Sequence, residues 1–190
     1  KEWDVFDAKV KNLDMPFFYV PGNHDISNKE MLKYYKERYG NPYYSFLYKD
    51  CLFIVLNTQD PPVTSISSSQ IEWLKETLEK NQNCRWTFLF QHQPFWLYKN
   101  KLKETWGEIE QLLVERSYTV FGGHWHKYLK SETEKGMSHI ALATTGGGSS
   151  LKGPVYGQFD HFTWVTVTDK GPVIANIALD GVYNENVSTV

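Results

Sequence analysis

Apolar residues recur along this chain in two rhythms, and the rhythms alternate. Trp3, Phe6, Val10 and Leu13 share one face of a helical period and predict an amphipathic helix ending before Pro16. The run FFYV, Phe17 to Val20, then predicts a short buried strand. Ser27 and Glu30 have the spacing of a capping box, predicting a helix through Arg38 that closes at Gly40 in a left-handed cap. PYYSFLY and CLFIVLN predict a strand pair turning at Lys49 and Asp50. Ser69 and Glu72 repeat the capping spacing ahead of Ile71, Leu74 and Leu78, and this helix leads into the strand RWTFLF. A further helix, Glu104 to Glu115, turns Trp106, Ile109 and Leu113 inward and leads to the strand YTVF. From Ile140 onward short strands follow one another, IALAT, FTWVTVT and PVIANIAL. Gly and Pro turns divide them, and they are expected to pair largely antiparallel.

Composition narrows the class. A chain of 190 residues, 41% apolar, is long enough for one sizeable core, so residues 1–190 are expected to form a single domain. The net charge of -2 offers no basic surface for non-specific nucleic-acid binding. No stretch approaches the roughly 18 apolar residues of a membrane span, and KEWDVFDAKVKNL has no apolar segment of the signal-peptide kind. Cys51 and Cys84 each adjoin an apolar run, where a thiol behaves as a small hydrophobe; the compartment stays open.

The candidate chemistry lies in three polar motifs, each just after a predicted strand. They are Gly22-Asn23-His24-Asp25, Gln91-His92-Gln93-Pro94 and Gly122-Gly123-His124-Trp125-His126, and they hold four of the six histidines. Loops at the C-terminal ends of strands converge in open α/β sheets, so the three motifs are expected to meet. The i, i+2 spacing of His124 and His126 would put both imidazoles on one side of an extended segment. Gly146, Gly147 and Gly148 are followed by neither a Lys nor a helix, which excludes a phosphate-binding P-loop and predicts a turn near the site. His139 and His161 stand outside any motif and are expected to be structural. Trp96, Tyr98 and Trp125 lie beside the motifs and either pack or shape a substrate pocket.

In this order and spacing, GNHD, H-x-P (His92 to Pro94) and G-H-x-H (Gly123 to His126) resemble the calcineurin-like metallophosphoesterases over about residues 17 to 130. VPGNHD, YYSF and FIVLNTQ are most similar to the branch containing calcineurin-like phosphoesterase domain protein phosphatases. The resemblance implies a four-layer α/β/β/α sandwich of two mixed sheets with a dinuclear site on the loops at one edge. It implies that Asn23, His92 and His124 bind one metal and His126 the other. Neutral imidazoles with oxygen donors suit Mn, Fe or Zn. It further implies hydrolysis of a phosphomonoester or phosphodiester (a phosphoprotein, nucleotide or small molecule) by a metal-bridged hydroxide. His24 would stabilise charge or protonate the leaving oxygen, with Asp25 orienting the imidazole or raising its pKa.

The family pattern also includes an Asp-x-His and a Gly-Asp-x-x-Asp segment, which supply carboxylates, and this sequence has neither. Asp4, Asp7, Asp14 and Asp160 do not reproduce the spacing. The expectation is an N-terminally truncated fragment lacking two strands, with an incomplete site, weak metal binding and negligible turnover. The alternative is a non-catalytic binding or scaffold domain that kept the fold.

Overall fold

The computed structural model of the chain describes residues 2–61 and 63–188. Two helices open it, α1 (Glu2–Val10) and α2 (Lys29–Tyr39). A hairpin, β1 (Tyr44–Tyr48) and β2 (Cys51–Leu56), follows with Lys49 and Asp50 at positive φ in its turn. Then come α3 (Ser68–Lys80), β3 (Trp86–Gln91), α4 (Lys101–Leu113), β4 (Tyr118–Gly122), β5 (Leu129–Glu132) and β6 (Ser138–Ala141). The last part is a meander of β7 (His161–Thr168), β8 (Gly171–Ala178) and β9 (Gly181–Asn184).

Six strands form the large sheet in the order β1-β2-β3-β4-β6-β5, and three form a small one, β7-β8-β9. In the large sheet β2, β3, β4 and β6 run parallel, with antiparallel strands at both edges. The strand at Ile140 was expected to pair antiparallel; it does so with β5 but is parallel to β4, which shields its other edge. The small sheet is antiparallel throughout rather than mixed.

Alternation along each strand sorts the core into two layers. Leu52, Ile54, Leu56, Leu89 and Val120 face α3 and α4, meeting Leu74, Leu78, Trp106, Ile109 and Leu113. Cys51, Phe88, Phe121 and Ile140 face the small sheet and meet Ile174, Val165 and Val167. Cys51 and Cys84 are free thiols.

Several local expectations shift. Residues 17–20 form no strand, and Phe17, Phe18 and Val20 stay 37–50% exposed. An apolar run becomes a strand only when a neighbour takes up its backbone groups. Here side chains hold the segment instead: Tyr44 Oη donates to Tyr19 O (3.0 Å), and Phe18 stacks on Phe46 (4.2 Å between centroids). The N-caps are Asn28 for α2 and Ser67 for α3, each accepting from the backbone N–H three residues on, rather than Ser27 and Ser69. The helix expected from Glu104 starts at Lys101, capped by Asn100. Along α1 no residue is buried; Trp3 packs edge-on against Tyr35 and Tyr39 of α2.

Candidate metal centre

Parallel neighbours β3 and β4 end side by side, and both release motif loops at that edge. Gly123 N–H donates to His92 O (2.8 Å), locking the two loops together. The third loop is a tight turn: Asp25 N–H and Ile26 N–H both donate to Gly22 O (3.0 Å each), and Gly22 N–H donates back to Asp25 Oδ2 (2.8 Å). Fully buried Ile26 anchors it to the core. Gly22 fits closely there, because a Cβ would lie 3.0–3.1 Å from the His92 ring and would press it out of place.

These loops bring together Asn23, His92 and His124, residues 69 and 101 positions apart from the first. Asn23 Oδ1 lies 2.8 Å from His92 Nε2 and 3.1 Å from His124 Nδ1, and the two nitrogens are 3.1 Å apart. Burial, reinforced by the charges of His124, His24 and His126, pushes the His92 imidazole down to about 4. Burial also lowers His124, helped by His126 and His24. Both rings are therefore neutral at neutral pH and keep a lone pair for coordination.

The triangle fits a transition metal. Adjacent ligands on an octahedral ion with bonds of about 2.1 Å stand about 3.0 Å apart, which matches all three edges. With the ring protons on the opposite nitrogens, the three facing lone pairs can share one cation. No carboxylate joins them: among the described residues, no group of three or more His, Cys, Asp or Glu side chains could hold a metal ion. Asp4 and Asp7 are paired with Arg38 (2.7 Å each), and Asp160 accepts from Thr144 Oγ1 and Gly146 N–H.

His126 does not share the triangle's contacts. His124 and His126 were expected on one side of an extended segment, but both adopt positive φ, 69° and 52°. Trp125 N–H donates to Gly123 O (2.8 Å), so His124 sits at the centre of a γ-turn, a strained conformation of the kind that gathers at functional sites. The turn aims His124 at Asn23 and His92. Exposed His126 swings to the glycine-rich segment instead, where Nδ1 lies 2.5 Å from Gly148 O.

His24 is exposed at the tip of its turn. Asp25 does not orient it: its carboxylate accepts from Gly22 N–H and from Trp3 Nε1 (3.2 Å), so it shapes the loop that carries Asn23. Trp96 is buried in the core, with Cη2 directly beneath Gly122, where a Cβ would come within 2.8 Å. Tyr98 and Trp125 meet edge to face (5.9 Å) beside the motif loops, and Trp125 is exposed. His139 and His161 are buried structural residues, as expected. The contacts of Gly148 O with His126 and of Asp160 with Thr144 and Gly146 are not legible in the sequence, because a backbone carbonyl or amide leaves no residue-type signal.

Two parallel strand ends and a glycine turn bring two imidazoles and an amide together at one edge of an α/β fold. Residues 2–128 match the calcineurin-like phosphoesterase family, and the chain belongs to that family. It is 30% identical over 137 residues to the serine/threonine-protein phosphatase CPPED1 of Rattus norvegicus, covering 63% of this chain and 44% of that protein. It is 25% identical over 147 residues to a probable glycerophosphodiester phosphodiesterase, GpdQ, of Arcobacter nitrofigilis, covering 67% of this chain and 51% of that protein. The chain thus spans about half the length of these curated relatives. Among solved structures, a purple acid phosphatase from yellow lupin seeds (Lupinus luteus) superposes with a TM-score of 0.70 at 15% identity, over 96% of this chain and 42% of that one. A dimetal phosphatase from Danio rerio gives 0.58 at 14% identity, over 93% and 71%. These two likenesses establish the fold: α/β with two sheets.

Proposed function

We propose that this chain is the part of a metal-dependent phosphoesterase that supplies the neutral ligands of one metal ion, Asn23, His92 and His124, and one ligand of a second, His126. The observation that carries the reading is the 2.8–3.1 Å triangle, in which one amide oxygen and two imidazole nitrogens from three separate loops converge on a single point. When bound, Mn, Fe or Zn ions supply Lewis acidity toward the phosphoryl oxygens and make water a nucleophile at neutral pH.

The chain's own residues do the rest. The γ-turn at His124 and the glycine at 22 set two imidazoles in fixed directions, which removes reorganisation when the ion binds. His24 stands free at the loop tip and bears electrostatically on both His92 and His124, the position for a group that meets a phosphate oxygen or protonates the leaving one. Trp125 and Tyr98 border the same loops with an aromatic edge that a substrate can rest on. The substrate is a phosphate ester of protein, nucleotide or small-molecule origin.

Without a carboxylate at the triangle, the ion's charge is not offset, so the 190-residue chain is expected to bind metal weakly and to turn over negligibly. The test uses a polypeptide of the length of the CPPED1 relatives that contains this chain, assayed with Mn²⁺ on an aryl phosphate. Activity should appear there and fall by about a hundredfold or more in His92→Ala and in His124→Ala. Full activity in both variants rejects the assignment. Metal binding with no hydrolysis of any phosphate ester supports instead a scaffold domain that kept the fold.

A further inference from the structure

His126 has a partner whose chemistry decides its tautomer. Gly148 O can only accept, so at 2.5 Å the His126 Nδ1 must carry the proton and Nε2 must keep its lone pair. A carbonyl can enforce this only if it stays in place, and it lies at the end of three consecutive glycines, the most permissive backbone available.

The segment before those glycines is braced from two sides. Asp160 Oδ1 accepts from Thr144 Oγ1 and from Gly146 N–H (2.8 Å), and Gly146 itself sits at a φ of 83°. On the other side His161 N–H donates to Thr144 O (2.8 Å), Thr145 Oγ1 donates to His161 O (2.7 Å), and Ala143 N–H donates to His161 Nε2 (3.1 Å). Since that Nε2 is an acceptor, His161 Nδ1 is the protonated nitrogen and donates to Asn176 Oδ1 (3.0 Å), which is fully buried. Gly147 then packs back on this frame: a Cβ there would lie 3.3 Å from Thr144 Cγ2 and 3.7 Å from His126 Cε1.

We propose that Asp160 is a positioning residue that, through Thr144 and Gly146, holds the Gly148 carbonyl against His126 and so presents its Nε2 as the ligand atom for the second metal ion. This rests on the reading of His126 as a ligand. The carboxylate does not touch the ion; it fixes the loop that fixes the tautomer. Such outer partners of metal-bound histidines typically change metal affinity by about 10- to 100-fold.

The test reads the two links separately in the ¹⁵N-labelled 190-residue chain, by long-range ¹H–¹⁵N correlation of the imidazoles at a pH where they are neutral. In the metal-free wild type, His126 should show a protonated Nδ1 and a bare Nε2. In Asp160→Ala this preference should be lost, and in Asp160→Asn, whose amide oxygen still accepts from Gly146, it should be largely restored. Should Asp160→Ala fail to fold, Thr144→Val removes one of the two braces and is expected to weaken the preference in the same direction. A wild-type Nε2–H tautomer, or an unchanged tautomer in a folded Asp160→Ala, overturns the proposal. Titration with Zn²⁺ reads the other link: His126 Nε2 should shift, at about tenfold higher Zn²⁺ in Asp160→Ala, with His92 and His124 responding alike in both proteins. No response at His126 at Zn²⁺ concentrations where His92 and His124 do respond rejects it as a ligand, and the tautomer result then decides the role of Asp160 in the loop.

Discussion

Gly22 carries a heavier constraint than its size suggests, because the space its Cβ would take is filled by the His92 ring. In Gly22→Ala the imidazole must move, and affinity for Zn²⁺ measured by calorimetry should fall by about 10- to 100-fold while the fold is kept. His139 makes a different residue-scale prediction. Burial, with the Lys103 charge adding to it, pushes its imidazole down to about 4 from an ordinary 6.5. Its 3.4 Å approach to Glu110 is therefore not an ion pair at neutral pH, and Nε2 has its hydrogen-bond contact with Tyr118 Oη (3.3 Å). The unfolded chain binds the proton first, so this contribution to stability is complete above about pH 6.5 and is lost as pH falls toward 4, by up to about 3 kcal/mol. Denaturant titrations at pH 7 and pH 4.5 should show a smaller difference for His139→Gln than for the wild type. The identities of Asn23, His92 and His124 were legible in the motifs alone. Asp25 was misread because an acid beside a histidine in sequence need not face it; the turn sends its carboxylate back to Gly22 and Trp3.

At the scale of elements, most helices and strands followed from the apolar rhythm, and the errors cluster where packing overrides it. The α3 and α4 faces formed as read because Leu74, Trp106, Ile109 and Leu113 are spaced for one buried stripe. Residues 17–20 did not become a strand, since apolar side chains cannot substitute for a hydrogen-bonded neighbour. The caps moved by one or two residues because Asn28 and Ser67 compete with nearby Ser27 and Ser69 for the same orphan N–H groups. In α4, Gly107 has open space where a Cβ would go. Gly107→Ala should raise stability by about 0.5–1 kcal/mol in chemical denaturation, by removing backbone freedom from the unfolded chain.

Across the whole molecule, two apolar surfaces remain open among the described residues. One is a groove of about 730 Å³ over β1 and β2, lined by Phe18, Val20, Phe46, Phe53, Val55 and Phe90. The other is the outward face of the small sheet, where Phe162, Trp164, Val173 and Val182 are all more than half exposed. Contiguous apolar area of this kind favours association. Sedimentation of the 190-residue chain should reveal concentration-dependent self-association that Trp164→Thr reduces; a wild type that is monomeric across the range would contradict this. The sequence by itself determined the family motifs, the four helices, the strands β1 to β4 and β6 to β8, and the residues of the triangle, because those depend on side-chain type and short-range periodicity, whereas the edge strands β5 and β9 carry too short an apolar pattern to be read. Tertiary structure alone decided that the triangle closes to 2.8–3.1 Å, that a γ-turn parts His124 from His126, and that Asp160 accepts from Thr144 and Gly146. Those features depend on where a backbone carbonyl or amide lies in space, and no residue type encodes that.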